Sequence, residues 1–227
     1  DRGLDEMAHA KELQNLKKSD GKKISKIKGI PKLEDANWAG GSQANDCVLI
    51  LTEGDSAKTT ALAGLAVVGR DRFGVFPLKG KMLNVRNTSL KKVEANEEIC
   101  NIKKILGLVQ DVTYDSKDSL NSLRYGKIMI MTDSDVDGSH IKGLIMNYIG
   151  KFWPKLLENG FISSLITPIV KVTKGTRKLS FYDLEQYNTW KNETENYKSW
   201  NIKYYKGLGA STSDEAKEYF RNLGNNK

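Results

Sequence analysis

Cysteine and histidine are scarce in this chain of 227 residues, and their scarcity excludes two classes of protein. The two cysteines, Cys47 and Cys100, lie far apart and form no Cys-x-x-Cys pair, which argues against a disulfide framework and a structural zinc site and favours a reducing, intracellular compartment. The two histidines, His9 and His140, are too few for a typical zinc hydrolase. The longest apolar run, residues 61–68, is far shorter than the roughly 20 residues of a membrane helix, so no membrane partner is expected.

Positive charge is in excess, because 36 Lys and Arg against 28 Asp and Glu give 36 − 28 = +8. This excess favours an anionic partner such as nucleic acid, although scattered lysines often only solvate a surface, and charge alone leaves both interpretations open. With 28% charged residues, 20 glycines and 4 prolines, neither collagen nor wholesale disorder is expected. The first residue is Asp1 rather than Met, so we expect a piece of a longer polypeptide.

Two strand–turn–helix units recur along the chain. The apolar run at residues 47–51 is typical of a strand buried on both faces, and an Ala- and Leu-rich helix is expected at 57–65. A second strand is expected at 127–132. The helix that follows it carries apolar side chains from Ile141 to Trp153 with a period close to 3.6, and it should kink or restart at Pro154.

The remaining segments complete an α/β pattern. We expect a helix over residues 89–106 and one or two strands over 161–172, broken near Pro168. Residues 4–16 have a passable helical stripe, but nothing in residues 1–45 predicts a core of its own. The alternation of buried strands with helices predicts a mostly parallel sheet flanked by helices on both faces.

Acidic residues follow both predicted strands, at the turn that leaves the strand. Glu53 follows the first strand, and three aspartates, Asp133, Asp135 and Asp137, follow the second. Ligands of open α/β sheets bind at the carboxyl ends of the strands, so the four acids converge if the two strands are neighbours. Without a cation their repulsion would reach several kcal/mol. Mg²⁺ is the natural partner because it prefers oxygen ligands, and it could steady the oxygens of a phosphoryl transfer.

Other interpretations of these motifs need features that the sequence lacks. Asp-x-Asp-x-Asp-Gly also opens an EF-hand calcium loop, but a strand precedes it and Leu144 stands where the loop needs Glu. The aspartates could instead be helix caps or turn residues, an interpretation that stays open above all for Asp137. Gly80-Lys81 is not a nucleotide-binding P-loop, because Val75 replaces its first glycine and Met82 follows the lysine.

Two basic segments are candidates for contacting phosphates. The segment from Phe76 to Arg86, expected as a loop between two helical segments, carries three cations around a glycine. The segment from Tyr204 to Gly209 carries a lysine beside two glycines, which would let backbone N–H groups approach an anion. Each is as consistent with an ordinary basic loop as with a DNA contact. The candidate contact residues are Lys79, Gly80, Lys81, Arg86 and Lys206.

The acidic motifs together resemble a known metal site. Glu53-Gly54-Asp55-Ser56-Ala57, followed downstream by Asp133-x-Asp135-x-Asp137-Gly138, resembles the Toprim site of topoisomerases, bacterial-type primases and some nucleases. Longer segments narrow the resemblance to eukaryotic-type DNA topoisomerase II, from about Ile30 to Phe220. These segments are Ile30–Leu33, Leu49–Ala57, Ala66–Asp71, Lys81–Arg86, Gly138–Leu144, Ile166–Val172 and Tyr204–Gly209.

The resemblance implies a role for each acid. Glu53 and Asp133 would bind the catalytic Mg²⁺ ion, for which Mn²⁺ or Ca²⁺ could substitute. Asp133 and Asp135 would bind a second ion that anchors the DNA backbone, and Asp137 matches a third aspartate of less defined role. The segment from Lys79 to Lys81 would lie beside double-stranded DNA near the cut. Ser134, Val136, Ala210 and Lys79 depart from the family pattern, and Lys79 replaces an arginine whose guanidinium can grip phosphate in two places.

The resemblance also implies what surrounds this segment. Residues 1–45 would be an arm and linker from a preceding ATP-binding region, 46–175 the Toprim core, and 176–227 an extension toward a winged-helix domain with the nucleophilic tyrosine. ATP would act only through that preceding region. The parent enzyme, a nuclear isomerase, would be a homodimer that passes one duplex through a transient break in another.

The same resemblance sets expectations for the chain by itself. It should be inactive alone, and Tyr125, beside Arg124, is expected to pack in the core rather than attack DNA. The competing hypotheses are a stand-alone metal-dependent Toprim nuclease and a non-enzymatic nucleic-acid-binding or calcium-binding module.

Overall fold

The computed structural model describes residues 2–78, 84–131, 136–165 and 168–204, with residues 214, 217–218 and 220–221. The side chains of residues 54–57 and 136–140 lie outside this description. Within the described residues, the main sheet contains the parallel strands β1 (Val48–Glu53), β2 (Phe73–Leu78), β3 (Lys127–Met131) and β4 (Ile162–Leu165), in the order β2-β1-β3-β4. The predicted α/β fold with a parallel sheet is therefore confirmed.

Helices connect these strands and continue beyond them. They are α1 (Arg2–Leu16), α2 (Gly54–Val68), α3 (Leu90–Ala95), α4 (Glu97–Leu106), α5 (Lys117–Asn121), α6 (Val136–Phe152), α7 (Pro154–Glu158) and α8 (Leu184–Glu193). The predicted restart at Pro154 is confirmed, since α6 ends at Phe152 and α7 begins with the proline, whose missing N–H costs nothing in a first turn. Among the described residues, none of the helices is both long and apolar enough to cross a bilayer.

The helix predicted over residues 89–106 is two helices. Asn96 ends α3, and its side-chain oxygen accepts a hydrogen bond from the Ile99 backbone N–H at 3.0 Å, which caps α4. Gly107 ends α4 in the left-handed conformation, at φ 74°. The amphipathic period carries through the break, so periodicity alone did not reveal it.

The main sheet is covered on both faces, as the sequence predicted. Alternate residues of β1 point to opposite sides, so Leu49 and Leu51 join one core with α4, α6 and α7, while Ile50 joins a second core with α2. The second core also contains Phe220, which is fully buried against α2. In the order β2-β1-β3-β4, β1 and β3 are the central strands, and each is paired with a neighbouring strand on both sides.

Strand β2 was not predicted from the sequence, and the expected loop from Phe76 to Arg86 was wrong at its start. All six residues of β2 are buried, including Gly74 and Pro77, whose types disfavour strands. Pro77 is tolerated because β2 is the edge of the sheet, where one side of the strand needs no partner from another strand. Glu34 covers part of that edge, exchanging backbone hydrogen bonds with Val75 at 2.7 and 2.9 Å.

A second, antiparallel sheet follows the first along the chain. Its strands are β5 (Val170–Lys174), β6 (Arg177–Phe181) and β7 (Asn201–Tyr204), in the order β6-β5-β7. The break predicted near Pro168 is confirmed, since β4 belongs to the main sheet and β5 to the second. One face of the second sheet packs against aromatic side chains of α8 and its neighbours, namely Tyr187, Trp190 and Trp200.

Candidate functional site

The candidate site lies at the carboxyl edge of the main sheet. β1 and β3 are hydrogen-bonded parallel neighbours, with Thr52 opposite Met131. The sequence-based condition for convergence is therefore met, because β1 ends at Glu53 and the aspartates follow β3 within a few residues of chain. Glu53 is half-buried and has an extended backbone, and Leu78 lies opposite it on β2.

Of the three predicted aspartates, only the backbone of Asp137 lies among the described residues. Asp133 and Asp135 lie outside the described residues, and Asp137 is the second residue of α6, with a side chain outside the description. Among the described residues, Glu53 is therefore the one predicted metal ligand whose side chain is placed. No group of three potential metal ligands occurs within the described part of the chain.

Two helix N-termini lie next to the acids along the chain. α2 begins at Gly54, directly after Glu53, and α6 begins at Val136, inside the run of aspartates. A helix N-terminus carries about half a positive charge and unpaired N–H groups, so it favours carboxylates and phosphates close by. Both helix starts therefore favour negative charge at this edge of the sheet.

The donor chemistry of this edge fits a hard divalent cation. Glu53 supplies carboxylate oxygen, and the neighbouring Thr52 is fully buried with a hydroxyl that has no hydrogen-bond partner among the described residues. Neither Cys47 nor His9 belongs to this edge, since Cys47 precedes β1 at its opposite end and His9 lies on α1. Among the side chains that the structure describes at this edge, the potential ligand atoms are oxygens, which suit magnesium-like ions rather than zinc.

Most of the predicted DNA contacts fall outside the description. Lys79, Gly80 and Lys81 follow the last residue of β2, and Lys206 follows β7 by two residues, but none of the four is among the described residues. Arg86 is exposed, and its backbone N–H donates to the Asn84 side chain at 3.1 Å.

The backbone next to Arg86 is held in place by burial and by a hydrogen bond. The preceding Val85 is fully buried, and its carbonyl accepts a hydrogen bond from the Lys151 ammonium of α6 at 3.0 Å. The Arg86 side chain is thus presented to solvent from an anchored backbone.

Tyr125 packs as the sequence analysis expected. The ring is fully buried, its hydroxyl donates to Asp35, and the same hydroxyl accepts from the Ala36 backbone N–H at 2.9 Å. Burial, with the Asp35 carboxylate beside it, raises the pKa of the Tyr125 phenol far above its ordinary value, so the oxygen stays protonated. A protonated, buried phenol is a poor nucleophile toward DNA.

Sequence reasoning missed the contacts that hold residues 30–36 beside α2. The Lys58 ammonium of α2 donates to the Lys32 carbonyl at 3.3 Å, and the Glu34 carboxylate lies 3.9 Å from Lys58 and 3.3 Å from Arg70. These contacts join positions more than 20 residues apart, so no local pattern could have revealed them. They fix the helix that begins directly after Glu53.

Comparison with known proteins identifies the family. The Toprim domain model matches residues 48–165, and the model for the C-terminal associated domain of Toprim matches residues 165–227. The chain therefore belongs to the Toprim family. Family membership implies a divalent metal cation, in agreement with the donor set at the sheet edge.

The similarity extends to one class of enzyme. The chain is 61% identical to DNA topoisomerase 2 of Bombyx mori over 95% of its own length, and 60% identical to human DNA topoisomerase 2-beta over 91%. A crystal structure of the Plasmodium falciparum topoisomerase II DNA-binding, cleavage and re-ligation domain covers 88% of the chain at 56% identity and a TM-score of 0.82, and the chain covers 27% of it. The chain is thus a Toprim segment of the eukaryotic DNA topoisomerase II class, spanning 14% and 13% of the silkworm and human proteins. Its division at residues 45 and 175 stays a prediction.

Proposed function

We propose that this chain supplies the magnesium-binding half of the DNA cleavage centre in an ATP-dependent type II topoisomerase. The observation that carries the proposal is the parallel pairing of β1 with β3, which brings the end of Glu53's strand beside the strand that leads into the aspartates. The similarity to topoisomerase 2 over 91–95% of the chain supports this function over a stand-alone nuclease or a binding module, since neither alternative explains similarity far from the metal site.

The acids have distinct roles in the proposal. Glu53 and Asp133 bind the catalytic Mg²⁺, Asp133 and Asp135 bind a second ion at the DNA backbone, and Asp137 assists as a third aspartate. When bound, the catalytic ion supplies charge stabilisation at the leaving 3′ oxygen of the broken strand. Glu53 is half-buried at the end of β1, beside the start of α2, which places its backbone at the edge where the ion is proposed to bind.

The basic residues hold the DNA in the proposal. Lys79, Lys81, Arg86 and Lys206 contact phosphates, and Gly80 lets the backbone approach the duplex closely. Each such cation releases counterions from DNA, so binding should weaken as salt rises. The nucleophilic tyrosine and the ATP-binding domain come from the rest of the polypeptide, in a nuclear homodimer that acts on double-stranded DNA.

Substitution of Glu53 tests the metal assignment. Supercoiled plasmid and Mg²⁺ or Mn²⁺ are incubated with the chain alone, and with the chain joined to the tyrosine-bearing remainder of a topoisomerase II. We expect cleaved DNA only from the joined protein, and a loss of at least 100-fold with Glu53→Gln, because the isosteric amide cannot balance the charge of the cation.

Glu158→Gln is the matched control, since Glu158 is an exposed carboxylate on α7, paired with Lys155 at 3.0 Å. It should cleave like the wild type. Normal cleavage by Glu53→Gln would refute the metal role of Glu53. Nicking by the isolated wild-type chain that Glu53→Gln abolishes would instead identify a self-sufficient nuclease.

A further inference from the structure

Lys58 connects the first half of α2 to the segment that precedes the main sheet. Its ammonium donates a hydrogen bond to the Lys32 carbonyl at 3.3 Å and lies 3.9 Å from the Glu34 carboxylate. The Lys58 side chain keeps only 20% exposure, so both contacts are screened less than those of a fully exposed lysine. They hold α2 about 6 Å along its axis from Gly54, where the helix begins directly after Glu53.

The end of α2 nearest to Glu53 depends on these contacts more than the later turns do. Ala61 and Leu65 are buried in the core that contains Ile50, so hydrophobic packing holds the later turns. Among the side chains that the structure describes on α2, none before Ala61 belongs to that core. Within the same description, the Glu53 side chain makes no capping hydrogen bond to the start of the helix. Lys58 therefore supplies contacts where the hydrophobic core does not yet reach.

The other side of the contact is fixed to the main sheet. The Glu34 backbone exchanges hydrogen bonds with Val75 of β2 at 2.7 and 2.9 Å. β2 ends at Leu78, which lies opposite Glu53 on β1. A chain of contacts therefore runs from the sheet through Glu34 to Lys58, and from there to the start of α2.

Arg70 contacts the same carboxylate from a different place in the fold. Its guanidinium nitrogen lies 3.3 Å from the Glu34 carboxylate, closer than the Lys58 ammonium. Arg70 nevertheless follows α2, which ends at Val68, and its side chain keeps 57% exposure. Arg70 can therefore neutralise Glu34 without holding the first half of the helix. The two cations provide an internal comparison, because only Lys58 lies on α2 near the acidic edge.

We propose that Lys58 is a positioning residue for the metal site, because through Lys32 and Glu34 it fixes the start of α2 and with it the backbone of Glu53. The proposal rests on the proposed function for the presence of the metal, and it adds a residue outside the acidic cluster. Loss of a contact behind a metal ligand commonly lowers metal affinity by about 10–100-fold. We expect Lys58 to lower the Mg²⁺ concentration that cleavage requires, without taking part in the chemical step.

Hydrogen–deuterium exchange in EDTA tests the position of α2 without metal or DNA. Lys58→Met removes the ammonium and keeps an unbranched side chain. In the 227-residue chain, the backbone amides of residues 58–62 should exchange about 10-fold faster in this variant than in the wild type. The amides of residues 63–68, which the core holds, should keep their wild-type rates. Lys58→Arg should retain most of the protection, since a guanidinium can still donate to the Lys32 carbonyl.

Cleavage by the joined protein tests the effect on the metal. Cleaved duplex is measured against Mg²⁺ concentration at fixed ionic strength. Lys58→Met should raise the half-maximal Mg²⁺ concentration about 10-fold and leave maximal cleavage unchanged. Glu34→Gln should shift it in the same direction but less, because the hydrogen bond from Lys58 to Lys32 remains. The matched control is Arg70→Gln, which removes the other cation beside Glu34 and should behave like the wild type in both measurements.

Three outcomes would overturn the proposal. The first is equal exchange and equal Mg²⁺ dependence in Lys58→Met and Arg70→Gln. The second is faster exchange in Lys58→Met without a change in Mg²⁺ dependence, because the metal site would then not depend on the start of α2. The third is a loss of maximal cleavage at an unchanged half-maximal Mg²⁺ concentration, which would assign Lys58 to DNA binding or to the chemical step.

The proposed function fails separately. Normal cleavage by Glu53→Gln would refute the metal role of Glu53, whereas exchange in EDTA would still report whether Lys58 holds α2. A failure of the positioning role is therefore distinguishable from a failure of the metal assignment.

Discussion

Burial lowers the reactivity of two side chains that could otherwise act as nucleophiles. Desolvation raises the pKa of the Cys47 thiol to about 11 and that of the Tyr114 phenol to about 12. Both side chains are fully buried, and the Tyr114 hydroxyl accepts a hydrogen bond from the Val109 backbone N–H at 2.8 Å. Because thiolate and phenolate are the reactive forms, neither Cys47 nor Tyr114 is a good nucleophile near neutral pH.

The two cysteines should therefore differ in reactivity. At pH 8.5 we expect iodoacetamide to alkylate the partly exposed Cys100 first, and Cys47 only after urea unfolds the chain. The raised pKa of Cys47 also means that between about pH 9 and 11 the folded chain keeps a proton that the unfolded chain loses. This contribution is fully present below pH 9, and stability falls as pH rises through that window.

Peptide mass spectrometry of the alkylated chain gives the order of labelling, and urea midpoints at pH 8 and 10.5 give the trend in stability. Other groups titrate in the alkaline range, so a Cys47→Ser variant provides the comparison, with a smaller loss of stability between the two pH values. Equal labelling of both cysteines in the folded chain would contradict the burial of Cys47.

At the scale of elements, α2 is packed against the C-terminal part of the chain through a glycine. A Cβ atom at Gly64 would lie 2.0 Å from the Cδ2 atom of Phe220, far inside contact distance. Phe220 is fully buried in the same core as Ile50 and Leu65. Gly64 is thus required for close approach, although glycine weakens a helix interior.

Gly64→Ala should destabilise the chain by about 1–3 kcal/mol, because the new methyl group displaces the Phe220 ring from a filled core. Gly143→Ala is the control, since a Cβ at that position on α6 meets no atom within 4 Å. It should be neutral or stabilising by up to about 1 kcal/mol, through the higher helix propensity of alanine. Urea unfolding measures the change in stability of each variant. Equal unfolding midpoints for Gly64→Ala and Gly143→Ala would show that the Phe220 ring moves aside without a loss of stability.

The sequence predicted the elements whose hydrophobic pattern matches their geometry. β1 and β3 are uninterrupted apolar runs and were found from the sequence. Their pairing as neighbours was only the condition for convergence of the acids, and the structure supplies it. β2 was missed because its strand character comes from tertiary burial that overrides the preferences of Gly74 and Pro77. For the site, Glu53 could be found from its place after a strand, whereas the ion pairs of Glu34 with α2 depend on contacts that no local pattern encodes.

At the scale of the whole molecule, the segment from Lys17 to Asp46 is fastened to the core by two buried cations. The Lys103 ammonium is 2.8 Å from the Asp20 carboxylate and donates to the Leu16 carbonyl at 2.7 Å, and burial lowers its pKa. The Arg124 guanidinium is fully buried and paired with Asp35 at 2.5 Å. Arg124 and Tyr125 directly precede β3, so Asp35 ties this segment to the strand that leads into the candidate metal ligands.

Breaking the ion pair between Asp35 and Arg124 should loosen the attachment of the segment from Lys17 to Asp46 to the core. Asp35→Asn leaves the Arg124 guanidinium buried without a full counter-charge, and we expect a loss of about 3 kcal/mol in the free energy of unfolding. That is the low end for a buried pair, chosen because the Asp35 side chain keeps 23% exposure. Trypsin should then cut faster after Lys26 and Lys28, which lie between the two fastenings.

Asp111→Asn is the control, because its partner Lys17 is 43% exposed and Asp111 is 67% exposed. Such a surface pair contributes about 0–1 kcal/mol, so this variant should unfold and resist trypsin like the wild type. If Asp35→Asn behaved like Asp111→Asn, the fastening would reside in the Lys103 pair and the apolar contacts of Ala36 and Ala39 alone. A large loss confined to Asp35→Asn would show that the contacts of Asp35 with Arg124 and Tyr125 stabilise the attachment of this segment to the residues that precede β3.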